Sequence, residues 1–123
     1  MSTTLRVAIT GICFAIVFPS GFFLTRLGRP PSTLLSTIHK LVALAAAVLT
    51  VMTILRLNQV TPLTPLQLAA TVVTGVLFAS LAATGALLTG EKLMPSLVRR
   101  AHHIVPHMCL LSSAATYYLL LGS

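Results

Sequence analysis

The chain has 123 residues, of which 56% are apolar and 7% charged, with a single acid against eight lysines and arginines. A soluble globular surface needs about 25% charged residues, so this composition excludes a water-covered domain and makes lipid the expected solvent. The formal net charge of +7 would suit nucleic acid, but the basic residues sit beside membrane turns rather than along one polar face.

Four apolar segments run at roughly 5–25, 34–57, 66–89 and 98–121. Each reaches the ~20 residues that a ~30 Å hydrocarbon core requires at the helical rise. The first follows a short N-terminus carrying Arg6 and has no small-residue cleavage site after it, so it is expected to stay as a helix rather than leave as a signal peptide. The turn RLGRPPST follows, with Gly28, Pro30 and Pro31. The second segment opens on STIHKL and ends at NQVTPLTP, where Pro62 and Pro65 break the pattern. Thr64, Pro65 and Gln67 then predict a capped third helix: hydroxyl at the N-cap, proline at the first position, Gln67 closing a capping box. The third segment ends at GEKLMPS, with Gly90 and Pro95. The fourth opens on RRAHHIVPHM, whose Pro106 removes the bond to the His102 carbonyl and is expected to kink the helix.

Turns this short force neighbouring helices to be antiparallel. The expected fold is therefore all-α: an up-down-up-down four-helix integral membrane bundle, one transmembrane domain over 1–123. Arg26, Arg29, Lys40, Lys92, Arg99 and Arg100 flank the first and third turns, while only Arg6 and Arg56 mark the opposite side. By the positive-inside rule the first and third turns are expected in the cytoplasm, both termini outside, and the chain in the inner (plasma) membrane. Cys13 and Cys109 lie in different apolar segments without CxxC spacing and read as small buried apolar residues. The absence of CxxCH excludes the usual covalent haem attachment.

At an offset of 64 the two halves agree at telling places. Thr10-Gly11 falls on Thr74-Gly75, Phe14-Ala15 on Phe78-Ala79, Gly21 on Gly85, Leu24-Thr25 on Leu88-Thr89, Pro31-Ser32 on Pro95-Ser96 and His39 on His103. This predicts two parallel copies of a helical hairpin, 1–60 and 65–123, related by a pseudo-twofold axis along the membrane normal. The second and fourth helices would then be diagonal partners, with His39 and His103 opposed across the bundle at equal depth. Gly21 and Gly85 lie near that depth on the first and third helices. They admit two compatible readings, close helix packing or room for a flat group. Gly11 with Ala15, and Gly75 with Ala79, read as small-xxx-small packing pairs. His102, aligned with Ile38, is expected to point to a neighbouring helix or the headgroups. His107, aligned with Ala43, is expected on the core face one turn beyond His103, as a hydrogen-bonding group within the bundle, a quinone contact or an alternative ligand. Tyr117, near the same face farther out, reads as an interfacial aromatic ahead of a polar group supporting the site.

Two opposed imidazoles underfill a zinc site, which takes three or four protein ligands. Glu91, the one acid, lies in a turn, which leaves a proton relay without its usual carboxylate. Haem suits the pair better, because a low-spin iron takes two axial ligands from facing helices. Arg99, Arg100, Lys40 and Lys92, with Thr25, Thr89, Ser32 and Ser96, would meet the propionates at that end.

With His39 in STIHKL, His103 in RRAHHIV and the preceding glycines, the chain resembles the small four-helix membrane cytochromes b. These include the cytochrome b561 and succinate-dehydrogenase-anchor kinds and uncharacterised four-span bacterial proteins. The b561 pattern carries two haems near opposite faces; here all histidines lie toward one side, so the resemblance implies one haem b. The expected role is one-electron transfer with quinol or a partner subunit, in the lipid bilayer and without nucleic acid. Neither a stand-alone enzymatic activity nor an oligomeric state follows from these residues; a homo-oligomer or a place in a larger complex stays open. Two rivals stay open as well: a non-redox or pigment-binding subunit of a larger membrane complex, and a small metal or ion transporter.

Overall fold

The computed structural model describes residues 1–28, 32–90 and 92–122. Arg29, Pro30, Pro31 and Glu91 lie outside the described residues, and with them part of the first turn, the Pro31 match in the repeat and the single acid. Four helices account for most of the rest: α1 (Thr3–Arg26), α2 (Thr33–Val60), α3 (Pro65–Leu88) and α4 (Ser96–Leu121). With 24, 28, 24 and 26 residues each is long enough, and apolar enough, to cross a membrane.

Local chemistry sets the ends. Ser2 caps α1 by accepting from the Leu5 N–H at 3.2 Å. At the other end the Leu27 N–H bonds the Phe23 carbonyl, and Gly28 takes the left-handed conformation (φ +80°) that closes many helices. The capping box expected at α3 is present: Gln67 N–H to Thr64 Oγ1 at 3.3 Å and Thr64 N–H to Gln67 Oε1 at 2.9 Å, with Pro65 in the first turn. α2 runs to Val60, past its expected end at 57, because Asn58, Gln59 and Val60 offer nothing to stop it before Pro62. Asn58 Oδ1 then accepts from the Leu63 N–H at 3.1 Å and turns the chain. Helical backbone continues through Pro19 in α1 and Pro106 in α4.

The chain falls into two compact units, Met1–Leu55 and Arg56–Ser123. In the first, α1 and α2 are antiparallel: Arg6 near the start of α1 donates to the Met52 carbonyl at 3.4 Å, while Ser20 near its end meets His39. In the second, α3 and α4 are antiparallel by the same logic. Gln67 Nε2 donates to the Leu119 carbonyl at 2.9 Å, Thr74 bonds Ser112 and Thr116 at 2.6 and 3.0 Å, and Thr84 meets His102.

What is buried and what is exposed reverses the pattern of a soluble domain. Leu41, Val51, Val72, Ile104 and Leu111 are all exposed, while Thr10, Thr50, Thr53, Thr74, Ser113 and Thr116 are buried. In lipid there is no gain from hiding leucine, and helices associate through small side chains and hydrogen bonds. Thr10, Thr50 and Thr53 return their hydroxyl hydrogens to the carbonyls of Arg6, Ala46 and Leu49, so they pack without stranding a donor.

Candidate functional site

One arrangement occurs in both hairpins. In the first, His39 of α2 lies half-buried against α1, with Nδ1 2.9 Å from Ser20 Oγ. Its ring edge rests on Gly21: a Cβ built there would stand 3.1 Å from Cε1. In the second, His102 of α4 has Nδ1 2.8 Å from Thr84 Oγ1, and a Cβ built on Gly85 would stand 3.2 Å from Cε1. Each seat thus consists of a glycine that admits the ring, the hydroxyl residue just before it, and one imidazole from the next helix.

The equivalence corrects the sequence alignment. Ser20 and Gly21 correspond to Thr84 and Gly85 at the expected offset of 64, as buried Thr10 corresponds to Thr74. The second helices correspond at 63: His39 with His102, Ala46 with Cys109, Thr50 with Ser113, Thr53 with Thr116 and Ile54 with Tyr117, the last four pairs buried throughout. The connection between glycine and histidine is one residue shorter in the second hairpin. His103 is therefore not the structural counterpart of His39. Because a doublet, His102-His103, gives a histidine match at either offset, the histidines alone could not reveal the slip. The pairs Thr53–Thr116 and Thr50–Ser113 carried the signal.

Helical geometry separates the three histidines of α4. His102 shares a stripe with Cys109, Ser113, Thr116 and Leu120, all buried. One residue on, His103 starts a different stripe with His107, Leu110 and Ala114, every one exposed. His107 is thus on the exposed face rather than the core face, and its Nδ1 donates to the His103 carbonyl at 3.0 Å. Of the two directions expected for His102, a neighbouring helix or the headgroups, it takes the first and lies against α3. Tyr117 is buried. Gly11 and Gly75 are exposed with no atom within 4 Å of a built Cβ, and Ala15 and Ala79 are exposed too, so these pairs make no close contact within their own hairpins.

The polar residues assigned to the propionates lie near the seats but outside them. Thr25, exposed, donates to the Gly21 carbonyl at 3.1 Å, and Thr89, exposed, to the Ala86 carbonyl at 2.8 Å. Lys40 follows His39 directly and is exposed; Arg99 and Arg100 precede His102 by three and two residues and are exposed. Arg26 at the end of α1 stands over the Phe22 ring, 5.1 Å from its centroid. Among the described residues no three His, Cys, Asp or Glu side chains gather to hold one metal ion.

Fold and site together define a four-helix protein suited by length and composition to span a membrane, with one hydroxyl-anchored histidine per helical hairpin. No family, curated protein or solved structure matches the chain.

Proposed function

We infer that this is a multi-pass membrane protein that holds one non-covalent haem b for one-electron transfer, with His39 and His102 as the axial ligands. The observation that carries the reading is the duplicated seat: one imidazole in each hairpin, anchored at Nδ1 to a hydroxyl and packed on a glycine. Imidazoles that ligate a metal through one nitrogen characteristically have the other nitrogen hydrogen-bonded to a fixed partner. A low-spin haem iron takes two such nitrogens, and bound haem supplies a reversible one-electron couple. Lys40, Arg99 and Arg100, beside the two histidines in sequence, supply positive charge for the propionates, with Thr25 and Thr89 one turn from the glycines. The electron partner is a quinol or another membrane subunit, both of which reach the site within the bilayer. The positive-inside distribution sets the histidine ends toward the cytoplasm of the inner membrane.

A second reading draws on the same geometry. Each seat is complete within one hairpin and holds one imidazole, which is also what a chlorin pigment with a single axial ligand needs, or what a non-redox subunit needs to pin two helices together. An absorption spectrum of the purified protein from haem-replete cells, oxidised and then reduced with dithionite, separates these. The haem reading expects a Soret band that shifts on reduction and sharp visible bands that appear. A colourless protein would sink it; red-region chlorin bands would favour the pigment. Transport is the least supported: Thr50, Thr53, Thr74, Ser112 and Thr116 are bonded to backbone carbonyls or to one another rather than set out along a path.

A further inference from the structure

Each seated imidazole meets a hydroxyl that also lies within hydrogen-bond reach of a carbonyl on its own helix. Ser20 Oγ donates to the Val17 carbonyl at 3.0 Å and lies 2.9 Å from Nδ1 of His39. Thr84 Oγ1 donates to the Ser80 carbonyl at 2.8 Å, with the Leu81 carbonyl at 3.2 Å, and lies 2.8 Å from Nδ1 of His102. A hydroxyl has one hydrogen and two acceptor lone pairs, and a carbonyl can only accept. Both contacts are made at once only if the hydrogen goes to the carbonyl and the oxygen accepts from the ring. In both hairpins the arrangement that satisfies both contacts is the same: Nδ1–H to hydroxyl oxygen, hydroxyl hydrogen to a carbonyl one turn back on the neighbouring helix. In the neutral ring this puts the basic lone pair on Nε2.

We propose that Ser20 and Thr84 are positioning residues that hold His39 and His102 as Nδ1–H tautomers, so that Nε2 is the nitrogen each presents to an electrophilic metal centre. Naming that centre as haem iron rests on the function proposed above; the tautomer does not. Glycine is part of the seat, because a Cβ at 21 or 85 would stand 3.1 or 3.2 Å from Cε1 and oblige the ring to shift. The two hairpins use different alcohols for one task, serine bonding three residues back and threonine four. Hydroxyl chemistry, rather than side-chain identity, is what the seat requires.

The test is a long-range proton–nitrogen correlation spectrum of the full chain, labelled with 15N-histidine and purified in micelles from haem-deficient cells, at mildly alkaline pH. His39 and His102 are expected as Nδ1–H tautomers. Thr84→Val, which keeps shape and removes the acceptor, should move His102 into a mixture containing the Nε2–H form while His39 is unchanged, and Thr84→Ser should restore it. Either histidine in the Nε2–H form in the unmodified chain, or a His102 indifferent to Thr84→Val, overturns the proposal. The haem reading fails separately: a protein that stays colourless with both tautomers as expected refutes the cofactor and leaves the positioning intact.

Discussion

At the scale of single residues, Gly21 and Gly85 do something that Gly11 and Gly75 do not. All four are helical glycines, and replacing a helical glycine by alanine gains up to about 1 kcal/mol of helix propensity. At 21 and 85 that gain meets an imidazole 3.1 or 3.2 Å away, and overpacking of this kind costs roughly 1–3 kcal/mol. Gly21→Ala and Gly85→Ala are therefore expected to lower stability, and Gly11→Ala and Gly75→Ala to leave it unchanged or raise it, as read by denaturant titration in micelles. The histidines divide as sharply. If haem is bound, His39→Ala and His102→Ala should each lose it or turn it high-spin, whereas His103→Ala and His107→Ala, on the exposed stripe, should keep the low-spin spectrum. Loss on His103→Ala with retention on His102→Ala would return the axial role to His103.

At the scale of elements, the hairpin α3–α4 is held by hydroxyl and amide bonds at three levels: Gln67 at one end, Thr74 in the middle and Thr84 at the other. Interhelical hydrogen bonds in membranes average about 0.6 kcal/mol and reach about 2 kcal/mol. Thr74→Val removes two of them at once while preserving volume, and strands Ser112 and Thr116. A loss of about 1–2 kcal/mol is expected, measured by denaturant titration in micelles. Helix ends were legible in the sequence wherever they depend on near neighbours: the Thr64–Gln67 box and the turn at Gly28 follow from residues a few positions apart. The end of α2 was less so, because nothing between Leu57 and Pro62 forces a stop. The register of α4 against α3 was not legible at all from the histidine doublet, since it is decided by which face carries the small hydroxyl residues toward its neighbour.

At the scale of the whole molecule, the distribution of Arg26, Lys40, Lys92, Arg99 and Arg100 against Arg6 and Arg56 makes a topology prediction. With Cys13 and Cys109 replaced by alanine, a cysteine introduced at Leu93 in the third turn should resist a membrane-impermeant maleimide in intact cells. One at Thr61 in the second turn should react; the reverse pattern would invert the orientation. Composition and spacing alone determined that the chain is helical, that four segments can cross a membrane, and that its halves repeat a hairpin-like pattern, because lipid demands about twenty apolar residues per crossing and short turns demand antiparallel neighbours. Only the tertiary structure decided which histidine of RRAHHIVPHM turns inward. A single residue's difference in the connection rotates a helix by about 100°, which moves His103 to the exposed face and seats His102 on Gly85 beside Thr84.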